Sequence, residues 1–155
     1  MPLDPSFVGR SYPPTRPYQV GREKIREFAA AIGDANPAYT DVEAAKALGH
    51  PDLVAPPTFA IVLSMGAADQ VVTDPALGLD YTRVVHRDQR FSYARPIFAG
   101  DELSVSMTVS EIRTLAGNDI ITTRGDISTV GGDAVCTVFS TLVARAPDTT
   151  VEVTP

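Results

Sequence analysis

The sequence contains little that would stabilise the chain covalently or anchor it in a lipid bilayer. Its 155 residues include one cysteine, Cys136, two histidines and no tryptophan. A single cysteine cannot form an internal disulfide, which fits a reducing compartment, so we expect a cytoplasmic protein. No apolar run approaches the ~18 residues of a membrane-spanning helix. The N-terminal residues also lack the basic start and apolar stretch of a signal peptide.

Positive charge is scarce as well. Lysine and arginine number 13 against 19 aspartates and glutamates, which gives a net charge of -6. Nucleic-acid binding usually requires a basic face, so that class of function is disfavoured. The hydrophobic fraction of 44% and the charged fraction of 21% are those of a globular domain. We therefore expect a single domain over residues 1–146 and a flexible C-terminal tail over residues 147–155.

Helices are predicted in the first half of the chain, after a Pro-rich lead-in or edge strand over residues 1–20. Apolar residues recur with helical spacing over residues 22–32, which indicates an amphipathic helix. A short helix over residues 42–48 follows. Residues 58–72 are apolar nearly all round, which predicts a central helix wrapped by other structure. The preceding Pro56-Pro57 pair fits the first turn of that helix.

The sequence period changes from helical spacing to two after residue 80, which predicts strands. The strands are expected over residues 85–93, 103–109, 120–127 and 134–145. Gly117-Asn118 and Gly131-Gly132-Asp133 are turn sequences that join the last three into hairpins. Helices followed by an antiparallel meander predict an α+β fold, with a curved sheet wrapped around the central apolar helix.

A motif follows the first predicted helix and reads Gly33-Asp34-x-Asn36-Pro37-x-Tyr39-x-Asp41. It resembles the signature of the MaoC-like hot-dog dehydratases and (R)-specific enoyl-thioester hydratases, which carry a histidine at the position of Tyr39. Three further segments match that family in order: Ala55-Pro56-Pro57-Thr58-Phe59, Val85-His86-x-Asp88-Gln89-x-Phe91 and Arg95-Pro96-x-x-x-Gly100-Asp101. The resemblance is greatest to the N-terminal-type MaoC domains, which include accessory subunits of actinobacterial (3R)-hydroxyacyl-carrier-protein dehydratases.

The resemblance implies a hot-dog fold, an acyl-CoA or acyl-carrier-protein ligand, and neither a cofactor nor a metal. In active members the aspartate and histidine of the motif share general acid–base work across one water molecule. That assigns Asp34 and Tyr39 to the catalytic positions. It assigns Asn36, Pro57, Thr58 and Phe59 to substrate binding. A tyrosine with an ordinary pKa near 10 is a poor base at neutral pH.

A second departure from the family pattern lies at Pro57. Active hydratases begin the central helix with a glycine whose backbone N–H stabilises the thioester oxyanion, and proline has no N–H. Loss of one such donor lowers the rate by roughly 10²–10³-fold. Both departures predict that this copy of the site is inactive or nearly so.

Several alternatives remain open at this stage. Asp34 and Asn36 also suit an Asx turn ahead of Pro37. His86 is either a structural residue at a subunit contact or a replacement base borrowed across it. The chain is thus an accessory subunit paired with a catalytic MaoC-like partner, a self-sufficient homodimeric hydratase that uses Asp34 with Tyr39 or His86, or a non-enzymatic acyl-thioester binding protein. Candidate docking residues for a carrier protein are Arg83, Arg87, Arg90 and Arg95.

Overall fold

The computed structural model describes residues 2–147, which form a five-stranded antiparallel sheet and three α-helices. The helices are α1 (Arg22–Ala31), α2 (Val42–Ala47) and α3 (Ile61–Val72), and 3₁₀ turns cover Pro5–Phe7, Pro37–Tyr39 and Tyr81–Arg83. The strands are β1 (Tyr18–Gln19), β2 (Val84–Tyr93), β3 (Glu102–Leu115), β4 (Asn118–Thr129) and β5 (Ala134–Ala144). The sheet order is β1-β3-β4-β5-β2. The predicted flexible tail, apart from Pro147, lies outside the described residues.

The curved sheet packs its concave face on the central helix α3, which confirms the predicted hot-dog architecture. On β3 the alternate residues Leu103, Val105, Met107 and Val109 are all buried, as the period of two predicted. From the helix side, Leu63, Ala67 and Val71 are buried against the sheet. Burial of these apolar side chains is the main force that holds the two layers together.

The central helix begins later than predicted. Sequence periodicity indicates a start at residue 58, whereas α3 starts at Ile61. The intervening residues form tight turns, in which Phe59 N–H donates to the Pro56 carbonyl (2.9 Å) and Ile61 N–H donates to the Thr58 carbonyl (3.1 Å). Pro56 and Pro57 therefore precede the helix instead of forming its first turn.

The hairpin between β3 and β4 turns one residue earlier than predicted. Its two loop residues are Ala116 and Gly117, with φ of 50° and 79°. Two positive φ angles are typical of a type I′ hairpin turn. Asn118 is not a turn residue, because it opens β4 and pairs with Leu115 of β3.

One edge of the sheet is covered by the N-terminal segment, and the other edge is uncovered within residues 2–147. The N-terminal lead-in runs along the edge of β3, where Tyr12 N–H donates to the Met107 carbonyl (2.9 Å) and Thr15 N–H donates to the Val105 carbonyl (3.0 Å). The short strand β1 completes that cover, so both predicted forms of the lead-in are present. The strand β2 lies at the opposite edge and pairs with β5 alone among residues 2–147. Unpaired strand edges are surfaces onto which another chain can add.

The segment that links β2 to β3 is held by Asp101. Its carboxylate accepts hydrogen bonds from Arg95 Nη1 and Nη2 (2.9 and 3.0 Å) and from the Phe98 backbone N–H (2.9 Å). The Asp101 side chain is only 16% exposed. Asp101 therefore connects its own end of the linker to Arg95 and Phe98, in addition to its position in the turn after Gly100.

We expect Asp101→Ala to lower the free energy of unfolding by about 2–3 kcal/mol, because it leaves a half-buried guanidinium and a backbone N–H without an acceptor. Chemical denaturation measures the change. The matched control is Glu111→Ala, which removes an ion pair between half-exposed side chains with Arg113. That control should lose less than about 1 kcal/mol. Equal losses for both variants would contradict the role given to Asp101.

Candidate functional site

An open groove of about 580 Å³ runs between α3 and the concave face of the sheet. The helix contributes Ile61, Met65 and Ala68 to its lining, and the sheet contributes Phe91 and Leu142 among others. Met65 is 64% exposed. The sheet therefore wraps one side of α3, as predicted for the central helix, and another apolar side of the helix faces the open groove.

The motif after α1 builds turns. The Asp34 carboxylate accepts from Asn36 N–H (3.1 Å), and the Asn36 side-chain oxygen accepts from Ala38 N–H (3.1 Å). Asp41 caps α2 by accepting from Glu43 N–H (2.9 Å). Asp34 and Asn36 are exposed and do not belong to the groove lining. Each side-chain oxygen accepts from the backbone N–H two residues further on, which is the hydrogen bond of an Asx turn.

Tyr39 lies inside the hydrophobic core. Its side chain is 8% exposed and packs within the main cluster of buried residues. Burial raises the pKa of the phenol above its usual value, and the nearby Asp34 carboxylate raises that pKa further. Both causes disfavour the phenolate. Tyr39 is therefore protonated at neutral pH and supplies no base there.

The corner before α3 separates three of the four residues predicted to bind substrate. The Tyr93 hydroxyl donates to the Pro57 carbonyl (2.6 Å), which fixes the turn. Phe59 is fully buried and packs edge-on against Phe28, with ring centroids 5.4 Å apart. Of Pro57, Thr58 and Phe59, only Thr58 lines the groove.

A β-bulge places His86 and Gln89 on the same face of β2. The pairing register with β5 shifts between His86 and Asp88, which leaves Arg87 as the extra residue. In a regular strand without a bulge, positions three apart face opposite sides. His86 Nε2 lies 3.1 Å from Gln89 Oε1, and both side chains line the groove. His86 thus reaches the groove, whereas Asp34 and Tyr39 do not line it.

Three of the four arginines considered for docking serve different local contacts, and Arg87 is the exposed bulge residue of β2. Arg83 pairs with Asp80 (2.8 Å), and Arg95 is held by Asp101. The Arg90 guanidinium lies 4.3 Å from the centroid of the Phe139 ring. Since opposite charges neutralise Arg83 and Arg95, the four do not act as one free basic patch.

The part of the chain that the structure describes shows neither a metal cluster nor a membrane-spanning helix. No group of three or more His, Cys, Asp or Glu side chains within residues 2–147 is placed to hold a metal ion. Within the same range, every helix is too short or too polar to cross a bilayer. The buried thiol of Cys136 has its pKa raised to about 11 by burial, which makes it unreactive at neutral pH.

Comparisons with known proteins assign the family. The model for the FAS1-like dehydratase domain region matches residues 6–138. The chain belongs to this family of MaoC-like hot-dog proteins. It is also 64% identical over 148 residues to a UPF0336 protein of Streptomyces coelicolor, covering 96% of this chain and 99% of that protein.

Two solved structures extend the family assignment to the fold. A MaoC-like dehydratase superposes with a TM-score of 0.86 and 36% identity over 92% of this chain. This chain spans only 43% of that protein's length. A chain of the truncated HadBC (3R-hydroxyacyl-ACP dehydratase) complex of Mycobacterium tuberculosis superposes with a TM-score of 0.80 and 34% identity, covering 88% of this chain and 96% of that one.

Several polar residues that line the groove could not be predicted from the sequence. The sequence gives Gln89 only as part of a family motif and does not place it in the groove, because the bulge at Arg87 has no signature in the sequence. Thr123 and Ser140 are inward-facing polar residues on strands whose inward neighbours are mostly apolar. Their position two residues from Ile121 and Val138 was the available signal.

Proposed function

We propose that the chain is an accessory subunit of a (3R)-hydroxyacyl-thioester dehydratase or enoyl-thioester hydratase in fatty-acid metabolism. It pairs with a MaoC-like hot-dog subunit that carries the catalytic aspartate and histidine. In this assembly the groove along α3 holds the acyl chain of an acyl-CoA or acyl-carrier-protein ligand. Proton transfer takes place on the partner's residues.

The observation that carries this proposal is Tyr39. The family places a histidine at this position, and here a buried phenol with a raised pKa replaces it. Hydration of an enoyl thioester requires a base to activate water and an acid to deliver a proton, and such help is worth typically ~10²–10⁴-fold. An oxyanion donor is missing as well, because Pro57 stands where active members of the family have a glycine and proline has no backbone N–H.

The open face of the chain supports the assembly. The edge of β2 is unpaired within residues 2–147, and next to it Met65 and Tyr81 are 64% and 63% exposed. An apolar groove beside a free strand edge is typical of a surface that a second chain covers. One similar chain of known structure comes from the HadBC complex, which also supports a two-subunit assembly.

The groove also supports an acyl ligand. Its volume of about 580 Å³ falls within the ordinary range for small-molecule sites, and hydrocarbon side chains form most of its wall. Ser64, Thr123 and Ser140 add a few hydroxyls to that wall. An extended apolar chain matches this composition better than a compact polar metabolite does.

The experiment purifies the chain alone and with a hot-dog subunit from the same genome that keeps both the Asp and the His of the motif. Native mass spectrometry should show a one-to-one complex only for the mixture. Hydration of a trans-2-enoyl-CoA, followed by loss of the conjugated thioester absorbance, should be rapid for the complex and absent for this chain alone. Enzyme-like turnover by the isolated chain would overturn the accessory role and favour the homodimeric hydratase.

A further inference from the structure

The concave face of the sheet carries a polar row across the groove. Side chains of directly paired residues in neighbouring strands lie side by side on one face. The register pairs Gln89 of β2 with Ser140 of β5, and Ser140 with Thr123 of β4. All three side chains line the groove, and Thr123 is only 4% exposed. The row therefore lies on the floor of the groove, where Thr123 is buried and Gln89 and Ser140 are half-buried.

Apolar residues flank this polar row on both sides, and His86 stands at the β2 end of one flanking row, paired with Leu142. Towards the end of β2, Phe91 pairs with Val138, and in the other direction Leu142 pairs with Ile121. These four side chains also line the groove. Residues two apart on a strand are separated by about 7 Å, so hydrocarbon surface lies within one such step on either side of the polar row.

The carboxamide of Gln89 is only partly satisfied. Its Oε1 lies 3.1 Å from His86 Nε2, and because a carboxamide oxygen can only accept, the imidazole N–H donates to it. The Nε2 of Gln89 is buried and has no hydrogen-bond partner among residues 2–147. A buried donor without an acceptor is destabilising. An acceptor on a molecule bound in the groove would complete the pair.

We propose that the row of Gln89, Ser140 and Thr123 binds an oxygen atom within the acyl chain of the ligand, a hydroxyl or a carbonyl flanked by hydrocarbon on both sides. This inference rests on the proposed function, because it assumes that the groove holds an acyl group. Gln89 Nε2 donates to that oxygen, and His86 holds the carboxamide in place. A plain hydrocarbon chain leaves the donor unpaired, so the groove favours oxygenated acyl chains.

The test compares two matched acyl-CoA thioesters on the assembled complex, one saturated and one with a hydroxyl near the middle of the same chain. Isothermal titration calorimetry gives both dissociation constants. We expect the wild type to bind the hydroxylated chain up to about tenfold more tightly and Gln89→Leu to lose this preference. Thr122→Val is the control. Its hydroxyl lies 3.2 Å from Thr141 Oγ1 on the opposite face of the sheet, so the preference should persist.

The outcomes separate this inference from the proposed function. Equal affinity of the wild type for the two thioesters overturns the inference and leaves the acyl-binding role intact. Binding of neither thioester overturns both. Should Gln89→Leu weaken assembly with the partner while the preference persists, Gln89 is an interface residue and the inference is wrong.

Discussion

Replacing the catalytic aspartate or histidine of the partner subunit should lower the hydration rate of the assembled enzyme by about 10²–10⁴-fold, which is the usual worth of general acid–base catalysis. The physical reason is that this chain offers no working acid or base at its own motif positions, Asp34 and Tyr39. Tyr39 is protonated within the core, and Asp34 does not line the groove and accepts a hydrogen bond from Asn36 N–H (3.1 Å). Steady-state rates with a trans-2-enoyl-CoA measure the effect.

The control for that experiment is a measurement of complex formation by the partner variants. Native mass spectrometry must show that the partner variants still form the one-to-one complex, so that a lost rate reflects chemistry and not dissociation. A residual rate within tenfold of the wild type would mean that this chain supplies a working acid or base. His86 would then be the first residue to replace, since it is the one imidazole in the groove lining.

Phe59→Ala should lower the free energy of unfolding by about 3–5 kcal/mol, the largest stability loss expected for a single side chain here. The ring is fully buried and packs edge-on against Phe28 at the corner before α3. Its removal leaves a cavity that neighbouring backbone turns cannot fill. Chemical denaturation measures the loss, and a smaller loss is expected for Phe59→Leu, which keeps part of the volume.

The matched control for Phe59 is its neighbour Thr58, which is exposed and lines the groove. Thr58→Ala should change the stability by less than about 0.5 kcal/mol. If Phe59→Ala instead keeps its stability and loses affinity for acyl-CoA, Phe59 is a substrate-binding residue. The assignment of Phe59 to the core would then be wrong.

Most of the architecture could be predicted because its signals are local. The predicted meander is wrong for β2, which pairs with β5 and not with the next strand β3. Strict alternation on β3 predicts which side chains are buried, since neighbouring residues on a strand face opposite sides. The apolar character of residues 58–72 predicts a central helix, although Pro56 and Pro57 precede it because tight turns occupy the corner. What the sequence could not show is that one side of α3 stays uncovered, since an apolar residue packs equally well against a sheet, a ligand or a second chain.

The site was harder to predict than the fold. The resemblance locates Asp34, Asn36 and Tyr39 in one motif, but it does not show that the first two build turns and the third is buried. The contribution of Gln89 depends on a one-residue bulge at Arg87, and a bulge reverses the faces of all later residues on the strand. Register between strands is a tertiary property, so the polar row across the groove has no counterpart in the sequence pattern.

The most direct test of the account is Asp34→Asn in the assembled enzyme. An asparagine oxygen accepts the same hydrogen bond from Asn36 N–H, so the turn persists while the carboxylate is lost. We predict a hydration rate within about twofold of the wild type, because the proposed function assigns proton transfer to the partner. A fall of about 10²-fold or more, with the complex intact, would show that Asp34 is a working acid or base and would contradict the account.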